Sequence, residues 1–164
     1  MTLCREYSDT DMSVAYDVTR LQPSHLREVA EIEKSCFSEP WSEKSLSLLL
    51  EGENFGVVAV SDGKAVAYGG MTCVLDEGAV TNIATLPEYR RKGIGRALLK
   101  KMLAEAEKRG VSSVFLEVRV SNEAAKALYL SEGFEEVGVR KDFYRRPRED
   151  ALQMAYIKKV KDRK

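Results

Sequence analysis

The residue whose setting most suggests chemistry is Glu117, in the middle of the apolar run Val114–Val120. Val114, Leu116, Val118 and Val120 take the even positions, and Phe115, Glu117 and Arg119 share the other face of the strand this alternation predicts. A strand reached through a crossover helix is expected to be covered on both faces. A glutamate there needs a partner, for which Arg119 is the candidate, or a task. The task that fits is general base at the open end of a sheet. Tyr129 falls on the inner face of a following helical stripe with Ala125, Leu128 and Glu132, where it reads as a core tyrosine. Asn122, just after Ser121, reads as the N-cap of that helix.

A second chemical stretch precedes these residues. Arg90, Arg91 and Lys92 lead into Gly93-Ile94-Gly95-Arg96 and then an amphipathic helix running to about Arg109. Glycines before a helix leave backbone N–H groups bare, and the helix dipole adds positive charge there. Cations at a helix start oppose that dipole, so their placement makes sense if an anion binds. The phosphate loop Gly-x-x-x-x-Gly-Lys-Ser/Thr is not matched, because Arg96-Ala97 follows Gly95. The dinucleotide fingerprint fails too: Leu98 stands at its third glycine, and Pro87 to Lys92 separate strand from glycines. What remains is Arg90-x-x-Gly93-x-Gly95, either a phosphate cradle or a basic helix entry with flexible glycines.

Other chemistries are limited by composition. The single histidine, His25, excludes a multi-histidine metal site and reads as a surface or capping residue beside Pro23-Ser24. Cys4, Cys36 and Cys73 share no metal-like spacing and read as reduced thiols, with Cys73 in the core. No metal is expected. The formal net charge of zero argues against broad nucleic-acid binding. No apolar run approaches the ~18 residues of a membrane span, and Met1–Val18 mixes Arg5, Glu6, Asp9 and Asp11, unlike a signal peptide. The expectation is a cytoplasmic protein with one domain over 13–160 after a flexible polar extension, residues 1–12.

The elements that must position these residues follow in order. Val14–Leu21 predicts a strand; Ser24 caps a helix toward Phe37; Ser42 caps a second helix ending at Gly52. Phe55–Val60 and Ala65–Val74 form a hairpin about Asp62-Gly63, and a third strand covers 79–86. The helix over 96–109 ends at Gly110, and strand 114–120 and the helix from Asn122 to Glu132 come next. Strands Phe134–Arg140 and Ala151–Lys158 close the chain around a polar loop, 141–150. The class is α/β: a mixed, mostly antiparallel central sheet with one parallel strand pair across a right-handed crossover, flanked by about four helices.

Taken together, these stretches resemble the GNAT acetyltransferases, and within them the RimI family of N-terminal acetyltransferases, over about Asp17 to Ile157. The resemblance rests on Pro40-Trp41-Ser42-Glu43, Asn82-Ile83-Ala84, Arg90-x-x-Gly93-x-Gly95-Arg96-Ala97-Leu98-Leu99, Leu116-Glu117-Val118-Arg119-x-Ser121-Asn122, Ala127-Leu128-Tyr129, Gly133-Phe134 and Arg148-Glu149-Asp150-Ala151. It implies acetyl-coenzyme A (acetyl-CoA) as co-substrate. Ile83, Ala84 and Thr85 would hold the acetyl and pantetheine arm, and Arg91, Lys92, Gly93, Ile94, Gly95 and Arg96 would wrap the pyrophosphate. Asn122 would hydrogen-bond the pantetheine. A bulge near Asn82 would splay its strand from 114–120 so that the arm can enter. Glu117 matches the family's general base and Tyr129 its general acid, which also lies against the cofactor.

The resemblance also implies an acceptor, a protein N-terminus. In the best-known members this is the N-terminal alanine of ribosomal small-subunit protein 18. An α-amine, with pKa near 8, is about 3 kcal/mol easier to deprotonate at neutral pH than a lysine side chain. Trp41, Tyr144, Glu149 and Asp150 are candidate walls of the acceptor site, although Trp41 reads equally as a core anchor. Phe143-Tyr144 stands where the family commonly has a tyrosine pair, so one hydroxyl is missing. A free small amine, a protein lysine, or acetyl-CoA binding without turnover are the competing functions.

Overall fold

In the computed structural model, residues 14–158 are described; the extension 1–12 and Cys4 lie outside them. Strand β1 (Asp17–Arg20) is followed by a 3-10 turn at Pro23–His25 and helix α1 (Leu26–Cys36). Helix α2 (Glu43–Leu46) continues as a 3-10 turn over Ser47–Leu50. Strands β2 (Phe55–Ser61), β3 (Lys64–Val74) and β4 (Glu77–Thr85) lead through a 3-10 turn at Pro87–Tyr89 to α3 (Ile94–Lys108). Then come β5 (Ser113–Arg119), α4 (Glu123–Ser131), β6 (Glu135–Arg145) and β7 (Arg148–Ile157).

The seven strands form one sheet in the order β1-β2-β3-β4-β5-β7-β6. Among the described residues only β4 and β5 pair in parallel. β3 shows how the sheet is covered. A Cβ on Gly69 would meet Met102 of α3, whereas one on Gly70 would meet Leu49 beyond α2. Neighbouring strand residues point to opposite faces, so α3 packs on one side and α1 with α2 on the other. α3 buries Ile94, Leu98, Leu99, Met102 and Ala106, a stripe of helical spacing. α1 buries Val29, Ala30, Ile32 and Glu33.

The turn chemistry follows the sequence closely. The Ser42 hydroxyl accepts from Ser45 N–H at 3.1 Å and caps α2. Gly110, at φ +79°, ends α3, with Val111 N–H returning to the Ala106 carbonyl. His25 is a capping residue: its Nδ1 accepts from Gln22 N–H at 3.0 Å.

Five expectations are corrected. The first strand spans only Asp17–Arg20. Ser24 lies inside a 3-10 turn and is not the cap of α1. The second helix is a single α turn continued in 3-10 geometry. The polar stretch 141–150 is not a loop: β6 runs through Arg145 and β7 starts at Arg148, joined by a tight turn at Arg146-Pro147. β6 is an edge strand, and Val137 and Val139 are exposed along with its charged residues. With neither face fully covered, its composition carries no burial pattern to read as a strand. Likewise β5 is covered on one face only. Val114, Leu116 and Val118 are buried, while Phe115 on the other face is 38% exposed.

Candidate active site

The site forms where the parallel pair comes apart. β4 and β5 pair at Glu77–Ser113, Gly78–Val114 and Ala79–Phe115, and no further. β4 nevertheless stays paired with β3 as far as Thr85. The cause is a bulge. Between the pairs Gly69–Ile83 and Met71–Val80, one residue of β3 faces two of β4, Thr81 and Asn82. Both bulge side chains lie on the α1 face: Thr81 Oγ1 lies against the position of a Gly70 Cβ, and Asn82 reaches Glu33.

The resulting cleft has a volume of about 700 Å³. Val80, Thr81, Asn82 and Ile83 line one wall, and Leu116, Glu117, Val118 and Arg119 the other. Asn122, Ala125 and Tyr129 close one end. Cys36 to Glu39, Trp41 and the hairpin tip from Phe143 to Pro147 form the far side. Ser38 Oγ donates to the Arg146 carbonyl at 2.7 Å and ties these last two segments together.

Glu117 and Tyr129 therefore face the same cleft. Glu117 Oε1 lies 3.7 Å from Arg140 of β6, not against Arg119. Arg119 is committed elsewhere: it holds Glu149 at 3.1 Å, donates to the carbonyls of Arg146 and Pro147, and stacks on Tyr144. Tyr129 is 8% exposed, and its hydroxyl has no hydrogen-bond partner among the described residues. Burial, and then the nearby Tyr144, push its pKa up to about 12. Burial also raises Tyr144, with Arg119 opposing the shift.

The remaining residues named from the sequence divide into three groups. Trp41, Ile83, Asn122 and Tyr144 line the cleft. Trp41 also packs against the core, as an anchor would. Asn122 is an N-cap, its Oδ1 accepting from Ala125 N–H at 3.1 Å. Glu149 and Asp150 lie outside the lining. Glu149 accepts from Ser121 N–H at 2.7 Å and pairs with Arg119, contacts that hold its carboxyl below the usual range. Asp150 accepts from Asp142 N–H at 2.8 Å.

The third group lies at the α3 N-terminus, beyond the cleft. Gly93 is the N-cap, at φ +81°, and no side chain caps the helix. The first N–H groups of α3 are thus left without intrahelical acceptors. Ile94 buries its side chain in the core. Gly95 faces Leu128 of α4. Arg91 is exposed at φ +62°. Arg96 reaches back to α4, bonding Ser131 Oγ and Glu132 Oε1 at 2.8 Å each. Ala84 and Thr85 continue β4 toward this end, where Arg90 Nε donates to the Thr85 carbonyl at 3.0 Å.

One cleft residue has no counterpart in the sequence reading. Glu33 is completely buried. It accepts from Trp41 N–H at 2.8 Å, from the Tyr68 hydroxyl at 2.7 Å, and from Asn82 Nδ2 at 3.2 and 3.4 Å. Burial raises its pKa, and these three donors oppose the rise. The signal was its position on the apolar stripe of α1, with Val29 four residues before it and Ala30 three before.

The GNAT acetyltransferase family model matches residues 26–134. The chain belongs to the GNAT acetyltransferase family. It is 42% identical over 141 residues to a ribosomal protein bS18-alanine N-acetyltransferase of Escherichia coli K12, covering 84% of this chain and 95% of that one. The enzyme of the same description from Haemophilus influenzae is 34% identical over 142 residues, covering 84% and 96%. The crystal structure of the ribosomal-protein-S18-alanine N-acetyltransferase from Escherichia coli superimposes with a TM-score of 0.82 at 38% identity, covering 90% of this chain and 97% of that one. This GNAT chain is thus an N-acetyltransferase with the mixed fold of its family. The family uses acetyl-CoA. No helix among the described residues is long and apolar enough to cross a membrane.

Proposed function

We propose that this enzyme transfers the acetyl group of acetyl-CoA to the N-terminal α-amine of a protein, the N-terminal alanine of ribosomal small-subunit protein S18, in the cytoplasm. The observation that carries the reading is the splay of β4 from β5, which opens a cleft lined by both Glu117 and Tyr129.

The residues present fit acetyl-CoA. β4 past Ala79 has backbone groups unused by β5, so Ile83, Ala84 and Thr85 can bond an extended pantetheine arm as a strand would. Asn122 spends Oδ1 on its cap and keeps Nδ2 as a donor. The uncapped N-terminus of α3, with Arg91, Lys92, Gly93, Ile94, Gly95 and the start of Arg96, suits a pyrophosphate through backbone N–H groups and dipole. The Arg96 side chain serves the fold instead, bracing α3 against α4.

Acetyl-CoA supplies an acetyl group activated as a thioester. The acceptor amine, with pKa near 8, is largely protonated at neutral pH and must lose a proton before it attacks. Glu117 takes that proton, directly or through water. The N–H of Ile83 or Ala84 can polarise the carbonyl. Tyr129, its phenol kept protonated by burial, gives a proton to the departing sulfur. Trp41 and Tyr144 wall the acceptor side, while Glu149 and Asp150 support that wall by holding Arg119, Ser121 and Asp142.

The test offers the enzyme acetyl-CoA and two peptides, and follows thiol release and peptide mass. One peptide has a free N-terminal alanine followed by arginine; the other has a blocked terminus and a free internal lysine. Acetylation of the first alone is expected. Acetylation of the lysine peptide alone would overturn the acceptor, and turnover of neither would favour a small amine or binding without transfer.

A further inference from the structure

Glu33 is a buried carboxylate, and its role in the reaction is not that of a base. Each oxygen already accepts two contacts: Oε1 from Trp41 N–H and Asn82 Nδ2, Oε2 from the Tyr68 hydroxyl and Asn82 Nδ2. No acceptor position is left for a proton from substrate. What distinguishes these contacts is where they lead. Trp41 N–H belongs to the segment between α1 and α2 that forms the acceptor side of the cleft. Asn82 is in the β4 bulge that separates β4 from β5.

Of the two bulge side chains on the α1 face, Thr81 has a buried hydroxyl with no hydrogen-bond partner among the described residues. Asn82 carries the side-chain hydrogen bonds of the bulge, to Glu33 at 3.2 and 3.4 Å and to the Tyr68 hydroxyl at 3.4 Å. A single rigid carboxylate on α1 therefore spans the two binding walls, within hydrogen-bonding distance of each.

We infer that Glu33 is a positioning residue that couples the donor and acceptor sites, so that filling the slot beside the bulge orders the acceptor wall at Trp41. The inference rests on the acetyl-CoA and peptide sites proposed above. Binding is reciprocal in such a pair: if coenzyme A tightens peptide binding, peptide tightens coenzyme A binding by the same factor. Tyr68 differs from the other two partners. Its hydroxyl donates to Glu33 at 2.7 Å from within β3, and it meets the bulge only through a long 3.4 Å contact from Asn82 Nδ2, so Glu33 keeps both of its wall contacts without it.

The test is calorimetric titration of the alanine-arginine peptide into the whole enzyme with and without coenzyme A, which binds without turnover. In the unaltered enzyme coenzyme A should tighten the peptide by at least about fivefold, the lower end of common coupling factors. Glu33→Ala removes the acceptor from both walls, so the factor should fall to about one. Asn82→Ala cuts only the bulge arm and should do the same, and it decides the matter if Glu33→Ala fails to fold by thermal melting. Tyr68→Phe should lower the melting temperature and keep the factor. Equal coupling in Glu33→Ala or Asn82→Ala, loss of coupling in Tyr68→Phe, or no coupling in the unaltered enzyme would overturn the inference. Turnover of the alanine peptide by the unaltered enzyme tests the reading of the sites separately.

Discussion

The Arg119 guanidinium lies 4.2 Å from the centroid of the Tyr144 ring. The same group holds Glu149 at 3.1 Å and the carbonyls of Arg146 and Pro147 at 3.2 and 2.9 Å. One planar cation thereby fastens the tip of the β6–β7 hairpin to the end of β5. Its five fixed donors suit this arrangement, and a lysine cannot reproduce it. Arg119→Lys should raise the KM for the acceptor peptide by about tenfold, the equivalent of ~1.4 kcal/mol, and leave the KM for acetyl-CoA within about twofold. Steady-state kinetics with each substrate varied checks this; equal rises in both constants would refute it.

Glu117 faces the cleft, bordered by Arg140 at 3.7 Å. As the base proposed for the acceptor amine, it should act on kcat. Glu117→Gln keeps size and polarity, and should lower kcat about 10²- to 10⁴-fold with peptide affinity nearly unchanged. A kcat within threefold of the unaltered enzyme would remove the residue from the chemistry.

Tyr129 is held at a pKa of about 12 by burial and by Tyr144. The raised value keeps the phenol protonated well above neutral pH. The rate should therefore climb through about pH 8 as the acceptor amine deprotonates, with no fall from Tyr129 up to about pH 10. Tyr129→Phe should lower kcat by about 10²-fold or more. A pH–rate profile to pH 10 measures both points, and a descending limb that is lost in Tyr129→Phe would contradict the assignment.

Glu132 takes Arg96 at 2.8 Å and Lys100 at 3.2 Å, joining the end of α4 to the start of α3. Burial acts to raise its pKa, but the two cations outweigh it and hold the carboxyl below its usual range. A group depressed on folding stabilises above its unfolded pKa, and that stability is lost as pH falls through the folded value. Urea midpoints of the unaltered protein should hold down to about pH 4.5 and then fall. Glu132→Gln should start lower at pH 7 and change less below that point. Identical pH dependence in the two proteins would exclude the linkage.

The order of elements and the glycine-led start of α3 were legible in the sequence. So were the Ser42 and Asn122 caps, the Gly110 stop and the one-sided alternation of β5. Each is encoded within a few residues, by turn chemistry or by the period of apolar side chains. Even the bulge at Asn82 was accessible, through the resemblance to a family that has one.

What the tertiary structure decided concerns partners far apart in the chain. The sequence reading weighed Arg119 as the partner of Glu117, yet Arg140 of β6 fills that place while Arg119 turns to Glu149 and Tyr144. Glu149 and Asp150 look like free acids in the chain and are bound to Ser121 and Asp142 in the fold. Glu33 reads as one more charge on an amphipathic helix until Tyr68, Asn82 and Trp41 converge on it. Local pattern sets which way each backbone segment runs and which face it buries, because those choices are made among neighbours. Which donor meets which carboxylate depends on strand order and on the splay of β4 from β5, which exist only once the sheet has formed.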